Sequence, residues 1–342
     1  MAAGKNSPVS VGVIGTGGMG TRHAVNLHRF VGGAQVTALY DLDKGHATQA
    51  AKQCGNAQVF DDPYALIRHD SVDAVLVASP DDTHTGLTLA CLQAGKPVLC
   101  EKPLATKVED AVKVLETESG LGQRMVSVGF MRRFDPQHAA VKGIVMSGEL
   151  GLPLLWKGVH RNASAPYGTS GATILTNSAG HDFDSARFLL GAEVLEVQVH
   201  GLKSRPELHD DTCDLLLIEM VMSNNCLGAA EVYVNAEYGY EVSAEVICQR
   251  GTAVTQQPDK AMLRATSMRG FRVSSDWLAP FQDAYLAEVI DWIETLQSGN
   301  GFSGANTWDG YAAMMVTSAC IQSLHSGKSV PVQMIEKPGL YS

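Results

Sequence analysis

No block of lysine and arginine stands out in the 342 residues, and the net charge is −10. A nucleic-acid or anionic-membrane partner is therefore not expected. No apolar run approaches the length of about 20 residues that spans a bilayer. The opening Met1-Ala2-Ala3-Gly4-Lys5-Asn6 lacks the apolar core of a signal peptide, which predicts a cytoplasmic chain. The seven cysteines (54, 91, 100, 213, 226, 248 and 320) are scattered and include no Cys-x-x-Cys pair. Buried, reduced thiols account for them better than disulfides or a zinc centre, and no metal is expected. Internal repeats and low-complexity segments are absent as well.

The composition, 45% hydrophobic and 18% charged, is that of an ordinary globular protein, and the length suits two domains. Val9 to Ile14 is a short β-branched run of the type buried on both faces of a parallel sheet. It breaks at Gly15-Thr16-Gly17-Gly18-Met19-Gly20, which opens an amphipathic segment carrying Ala24, Leu27 and Val31. Strand, glycine loop and helix in that order suit a dinucleotide pyrophosphate: Gly15 turns, Gly17 admits the phosphates, Gly20 lets the helix pack close. The plain alternative is a tight βα turn with no ligand. Asp41, closing a second apolar run 21 residues after Gly20, tips the balance toward a cofactor. A carboxylate there accepts from ribose hydroxyls and repels a 2′-phosphate. No arginine follows it, although Lys44 is near, so NAD is favoured over NADP.

Helices and strands go on alternating. Helices are predicted from Asp43 to about Gln53, over Pro63–His69, Thr85–Ala94 and Val108–Glu118. Strands are predicted over Asp73–Ala78, Pro97–Cys100 and Arg124–Val128. This is a Rossmann dinucleotide-binding domain over 1–129, and ligands gather at its carboxyl strand ends. Ser79, Pro80, Asp82, His84, Glu101 and Lys102 all fall there. His84 reads either as a helix start meeting solvent or as a contact on the nicotinamide side. Lys102 reads either as an ion-pair partner of Glu101 or as a cation held at the cofactor edge.

Over 130–342 the pattern changes. Segments 153–160, 193–201, 212–221, 226–235 and 241–249 run apolar or alternate, joined by turns such as Ser223-Asn224-Asn225. They predict an α+β domain with a large, mainly antiparallel open sheet, one face on helices and the other a subunit interface. Gly180-His181-Asp182-Phe183-Asp184 starts an apolar helix. His181 reads as a cap or as a base whose ordinary pKa suits removal of a hydroxyl proton. Residues 252–280, with Gln256-Gln257-Pro258-Asp259, read as edge strands and loops. Two closing helices carry the stripes Phe281, Tyr285, Val289, Trp292, Ile293, Leu296 and Trp308, Tyr311, Ala312, Met315, Ala319, the second capped by Asn306. Their aromatics read as core.

Together, the glycine loop, Ser79-Pro80 and Glu101-Lys102-Pro103-Leu104 resemble the glucose–fructose oxidoreductase / inositol dehydrogenase superfamily (Gfo/Idh/MocA). Val128 to Asp135, His160-Arg161-Asn162, Tyr238-Gly239-Tyr240 and Trp308-Asp309-Gly310-Tyr311 extend the likeness to its inositol 2-dehydrogenases, over essentially the whole chain. Glu336-Lys337-Pro338, in the tail, is a chance repeat of the strand-end motif.

The resemblance implies an NAD-dependent oxidoreductase that oxidises a secondary hydroxyl of a cyclic polyol, inositol at carbon 2. Lys102 polarises the hydroxyl, Pro103 follows a cis bond, and His181 takes the proton. Arg132, Asn162 and Tyr240 bind other hydroxyls, and Asp184 is a carboxylate near the lysine. The loop from Gly15 to Gly20, Asp41, Ser79, Pro80, His84, Glu101 and Lys102 serve the cofactor. Assembly as a homodimer or homotetramer through the sheet is implied too. One position departs: Asn177 stands where relatives carry aspartate four residues before the histidine. If that turn is helical, both side chains share a face, and the neutral amide gives no charge to an imidazolium. Asn177 keeps a pyranose or glycoside dehydrogenase open, and a non-catalytic NAD(H)-binding sensor is the alternative of another class.

Overall fold

The structure, a computed structural model, describes residues 7–165, 170–209, 212–255, 263–265, 268–271, 273–299 and 301–342. Two compact units divide the chain. One comprises the residues up to Phe134, Asp283–Tyr311 and Ile335–Ser342; the other comprises Asp135–Gln282 and Ala312–Met334.

The first unit begins with β1 (Val9–Ile14), α1 (Gly18–Phe30), β2 (Ala34–Tyr40), α2 (Lys44–Gln53), β3 (Gln58–Val59) and α3 (Pro63–Arg68). It continues through β4 (Ala74–Val77), α4 (His84–Gln93), β5 (Val98–Glu101), α5 (Val108–Leu121) and β6 (Val126–Gly129). The second unit carries α6 (Pro136–Ser147), β7 (Pro153–Arg161), α7 (Gly171–Asn177), α8 (Gly180–Leu190), β8 (Val194–Leu202) and β9 (Leu215–Met222). After them come β10 (Leu227–Tyr233), β11 (Glu241–Cys248), β12 (Gly251–Val254), β13 (Leu263–Ala265) and β14 (Met268–Gly270). The last elements are α9 (Gln282–Ser298), β15 (Ala305–Asn306), α10 (Thr307–Ser326) and β16 (Val330–Pro331).

In the first unit the strands lie in the order β15-β6-β5-β4-β1-β2-β3, parallel except for β15. The order reverses between β1 and β4, so their carboxyl ends border the crevice where doubly wound sheets hold ligands. Every residue of β4 is buried, as a strand covered on both faces requires. Val11, Val13, Leu27, Leu39, Leu76 and Leu99 form the core, and α9 adds Val289, Trp292 and Ile293 to it. The closing aromatics are core, as expected.

The sheet of the second unit runs β12-β11-β7-β10-β9-β8-β16. It is mainly antiparallel, with one exception: β7 and β10 pair in parallel. Two helices and the β8–β9 hairpin intervene between them, so β10 enters from the same end as β7. Strict alternation along β9 turns Leu216, Ile218, Met220 and Met222 onto the core with Trp156, Phe183 and Leu189. Leu217 and Val221 face outward, Val221 opposite the exposed Leu227 of β10. Gln256-Gln257-Pro258-Asp259 lie outside the described residues. All seven cysteines are free thiols, six of them buried.

Candidate active site

The glycine loop owes its shape to two close approaches. Gly15 adopts φ +88°, and a Cβ there would lie 2.5 Å from the backbone of Ala78 and Ser79. A Cβ on Gly20 would stand 1.8 Å from the Gly15 carbonyl oxygen, so only glycine lets α1 sit on the loop. On Gly17 and Gly18, by contrast, a Cβ would meet nothing within 4 Å. Gly17 caps α1 without a side chain, Met19 is the second helical residue, and no acidic side chain occupies the first turn. The bare N–H groups and the positive end of the helix dipole fit a pyrophosphate.

Asp41 follows β2, and its carboxylate is aimed by the loop itself. Oδ2 accepts from the Thr16 amide at 2.6 Å and the Thr16 hydroxyl at 3.1 Å, while Oδ1 accepts from the Asp43 amide at 2.8 Å. Thr16 thus spends its donors on holding the carboxylate. Lys44 pairs with Asp61 at 2.6 Å.

At the end of β4, Thr83 donates its hydroxyl hydrogen to the Pro80 carbonyl at 2.7 Å. Ser79 is left as the donor in its 2.6 Å contact with Thr83. His84 opens α4 with its ring buried: Nδ1 lies 2.7 Å from the Pro103 carbonyl oxygen and Nε2 2.9 Å from that of Ser79. Burial opposes its charge, yet the Cys100 sulfur and both carbonyls outweigh burial and push its pKa up to about 10. His84 thus starts a helix as read, but its ring does not meet solvent: it joins two strand ends.

Glu101 ends β5. Its Oε1 sits 2.8 Å from Nε2 of His23, and Oε2 accepts from the Lys102 amide at 3.2 Å. Burial pushes the Glu101 carboxyl up, but the His23 bond and charge, then the Lys102 charge, hold it below the usual range. The Lys102–Pro103 peptide bond is cis. Behind His23, the Tyr285 ring stands edge-on at 5.8 Å. Glu288 lies one turn on along α9, fully buried, its acid pushed well above the carboxylate range by burial and by the charge of Glu101. Arg132 lies in a buried turn that follows β6.

In the second unit, alternation along β7 separates His160 from Arg161. His160 faces inward, 4% exposed, its Nδ1 at 2.8 Å from Oδ2 of Asp182. The Tyr240 ring meets it edge-on at 5.9 Å and 89°. Arg161 turns to the outer face, where Glu231 takes its Nε and Nη2 at 2.7 and 2.9 Å and Glu241 its Nη1 at 3.1 Å. The Asn162 backbone is pinned by Tyr233 and Ala236, at 2.8 and 2.9 Å.

His181 is the second residue of α8. Asp184, 1% exposed, lies 3.8 Å from Arg187, which Glu193 grips at 2.6 and 2.9 Å. Residues 177–181 are not one helix: α7 ends at Asn177 and α8 starts at Gly180. The amides of Ser178 and Ala179 both close on the Ile174 carbonyl, at 2.9 and 3.1 Å. Asn177 donates Nδ2 to the Thr173 carbonyl at 3.0 Å, bonding its own helix. The i, i+4 rule of a continuous helix therefore does not apply to Asn177 and His181.

His23, His160, Asp182 and Glu288 escaped the sequence reading as site residues. His160 stood inside a quoted motif, and its alternation with Arg161 was the available signal. The other three gain meaning only from partners remote in sequence.

The family model for the NAD-binding Rossmann fold of an oxidoreductase family matches residues 9–130, and its C-terminal alpha/beta domain matches 144–334. Inositol 2-dehydrogenase of Rubrobacter xylanophilus is 45% identical over 338 residues, 99% of this chain and 97% of that protein. Inositol 2-dehydrogenase 2 of Saccharopolyspora erythraea is 40% identical, with 98% of each chain covered. A crystal structure of myo-inositol dehydrogenase from Lactobacillus casei, in complex with NAD(H) and myo-inositol, superposes with a TM-score of 0.93. Its identity is 30%, and the match covers 98% of this chain and 100% of that one.

Proposed function

Because the chain belongs to the Gfo/Idh/MocA oxidoreductase family in both its domains, we propose that it is an NAD-dependent dehydrogenase oxidising a secondary hydroxyl of inositol, at carbon 2. The observation that carries this reading is full-length likeness to inositol 2-dehydrogenases, together with a fold shared with an inositol- and NAD(H)-bound relative.

NAD supplies the hydride acceptor. The loop from Gly15 to Gly20 receives its pyrophosphate, and Asp41, pre-aimed by Thr16, receives the ribose hydroxyls. Lys102 polarises the reacting oxygen, and His181 accepts the hydroxyl proton. Arg132, Asn162 and Tyr240 bind the remaining hydroxyls. His160, oriented by Asp182 and packed on Tyr240, is a further candidate for that face.

Residues 1–129 serve the cofactor and 130–342 the substrate and assembly. The outward Leu217, Val221 and Leu227 support association through the sheet as a homodimer or homotetramer. The free thiols fit a reducing, cytoplasmic setting. No helix among the described residues is long and apolar enough to cross a membrane.

The test is NADH formation by purified enzyme against inositol isomers and pyranoses, with NAD and NADP in parallel. Highest kcat/KM for an inositol with NAD supports the reading. Turnover of pyranoses alone moves the substrate and makes Asn177 the first suspect. Cofactor binding without turnover leaves a sensor.

A further inference from the structure

His84 is 1% exposed, and each ring nitrogen faces a backbone carbonyl oxygen, Nδ1 that of Pro103 at 2.7 Å and Nε2 that of Ser79 at 2.9 Å. A carbonyl oxygen only accepts. A neutral imidazole carries one N–H and one lone pair, so in either tautomer one nitrogen would aim its lone pair at an oxygen lone pair within bonding distance. Turning the ring over exchanges both nitrogens for carbon and loses both bonds. Only the doubly protonated ring satisfies the two acceptors at once, and the buried position offers little water as a substitute.

The surroundings tolerate this charge. Cys100 of β5 is a titratable group beside the ring, and it favours the charged form. Its thiol donates to the Glu101 carbonyl at 3.3 Å. Asp81 and Asp82, on the turn leading into α4, are exposed to solvent.

We propose that His84 is a fixed, buried imidazolium that clamps the Ser79 turn to the Pro103 carbonyl and so positions Lys102. The clamp joins the carboxyl ends of β4 and β5 across one charged ring, and its second anchor is the residue directly after Lys102. Charge-assisted bonds are shorter and stronger than neutral ones, so the ring holds the lysine backbone more firmly than a neutral bridge would. His84 is thus a positioning residue. Its effect on rate rests on the role given to Lys102 above, whereas its charge does not.

Neutron diffraction from crystals of the deuterated wild-type protein at about pH 9, where an ordinary histidine is neutral, reads the charge directly. Deuterium on both Nδ1 and Nε2 of His84 is expected, and deuterium on one nitrogen overturns the proposal. This readout needs no substrate, so it stands or falls apart from the inositol reading.

The positioning role is read from His84→Gln, a neutral donor, and His84→Arg, a permanent cation with separate N–H groups. For His84→Gln, kcat should fall about ten-fold or more while KM for the polyol stays within about two-fold, with partial recovery in His84→Arg. An unchanged kcat in His84→Gln overturns the role. Should both variants fail to fold, the neutron result still decides the charge on which the clamp depends.

Discussion

Nε2 of His23, in the helix that opens on the glycine loop, lies 2.8 Å from Oε1 of Glu101, the residue just before Lys102. Their side chains are 1% and 13% exposed. The pair ties the helix that opens on the glycine loop to the strand that ends just before Lys102, so the segments proposed above to serve the cofactor and the proton transfer share one buried strut.

Removing the histidine leaves the Glu101 carboxylate only the Lys102 amide and charge, and a buried pair that loses one partner is destabilised by about 3–5 kcal/mol. His23→Leu is expected to lose stability in that range by urea denaturation at neutral pH. Glu101→Gln should lose less, because the amide oxygen still accepts from the ring. The Glu101 pKa is held below its unfolded value. Its contribution is therefore present above the ordinary carboxylate pKa and fades as pH falls through the lower folded one. The deficit of Glu101→Gln should shrink over that acid window; a deficit constant with pH would sink the ion-pair account.

Glu288 makes the opposite prediction. It is fully buried, both carboxyl oxygens are without hydrogen-bond partners among the described residues, and its pKa is raised well above 4.5. Between its unfolded and folded pKa the native state holds a proton that the unfolded chain has released, so stability falls as pH rises through that window. Glu288→Met removes the penalty. Its gain over the wild type is expected to be small at acid pH and to grow by about 1.4 kcal/mol per pH unit between the unfolded and folded pKa, levelling off above the latter. Thermal unfolding measured across pH checks this, and a pH-independent difference would refute it.

Much of the fold was legible because its signals are local. β1, the glycine loop, the Asp43 cap of α2 and the alternation along β9 each follow from a few adjacent residues. The break at Ser178–Ala179 was not, because two amides converging on the Ile174 carbonyl leave no compositional trace. The parallel pairing of β7 with β10 depends on the order of intervening elements rather than on either strand. The His160–Asp182 and His23–Glu101 contacts join residues 22 and 78 apart. Glu101 and His160 stood in quoted motifs, but in neither case does the local sequence name the partner that the chain brings to it.

That break gives Asn177→Asp two separable consequences. Aspartate cannot donate to the Thr173 carbonyl, so the 3.0 Å bond that closes α7 is lost, at a cost of about 0.5–1.5 kcal/mol. The new negative charge also sits at the unfavourable end of the helix dipole. A modest drop in unfolding midpoint is expected, together with a changed ranking of inositol isomers and pyranoses by kcat/KM. A stability loss with the ranking untouched would mark Asn177 as a helix-closing residue with no part in specificity.

Tyr341 ties the C-terminal tail to α5. Glu118 is fully buried in α5 and accepts from the amides of Met125 and Val126 at 2.5 and 2.6 Å, from the Thr307 hydroxyl, and from the Tyr341 hydroxyl at 2.5 Å. Burial, then the Glu118 charge and its hydrogen bond, push the Tyr341 phenol above its ordinary range. The bond thus keeps its hydrogen at neutral pH. Within the same unit, Ile335 donates to the Tyr311 hydroxyl at 3.0 Å and Lys337 lies over the Trp308 ring, so the tail docks at several points. Tyr341→Phe removes one hydrogen bond to a charged acceptor and leaves the ring in place. The expected loss is about 1.5–3 kcal/mol, read by denaturant unfolding. Because Glu118 keeps three other donors, the variant should retain turnover, and protease nicking of the tail should rise. A variant as stable as the wild type would show that the carboxylate is satisfied without the tyrosine.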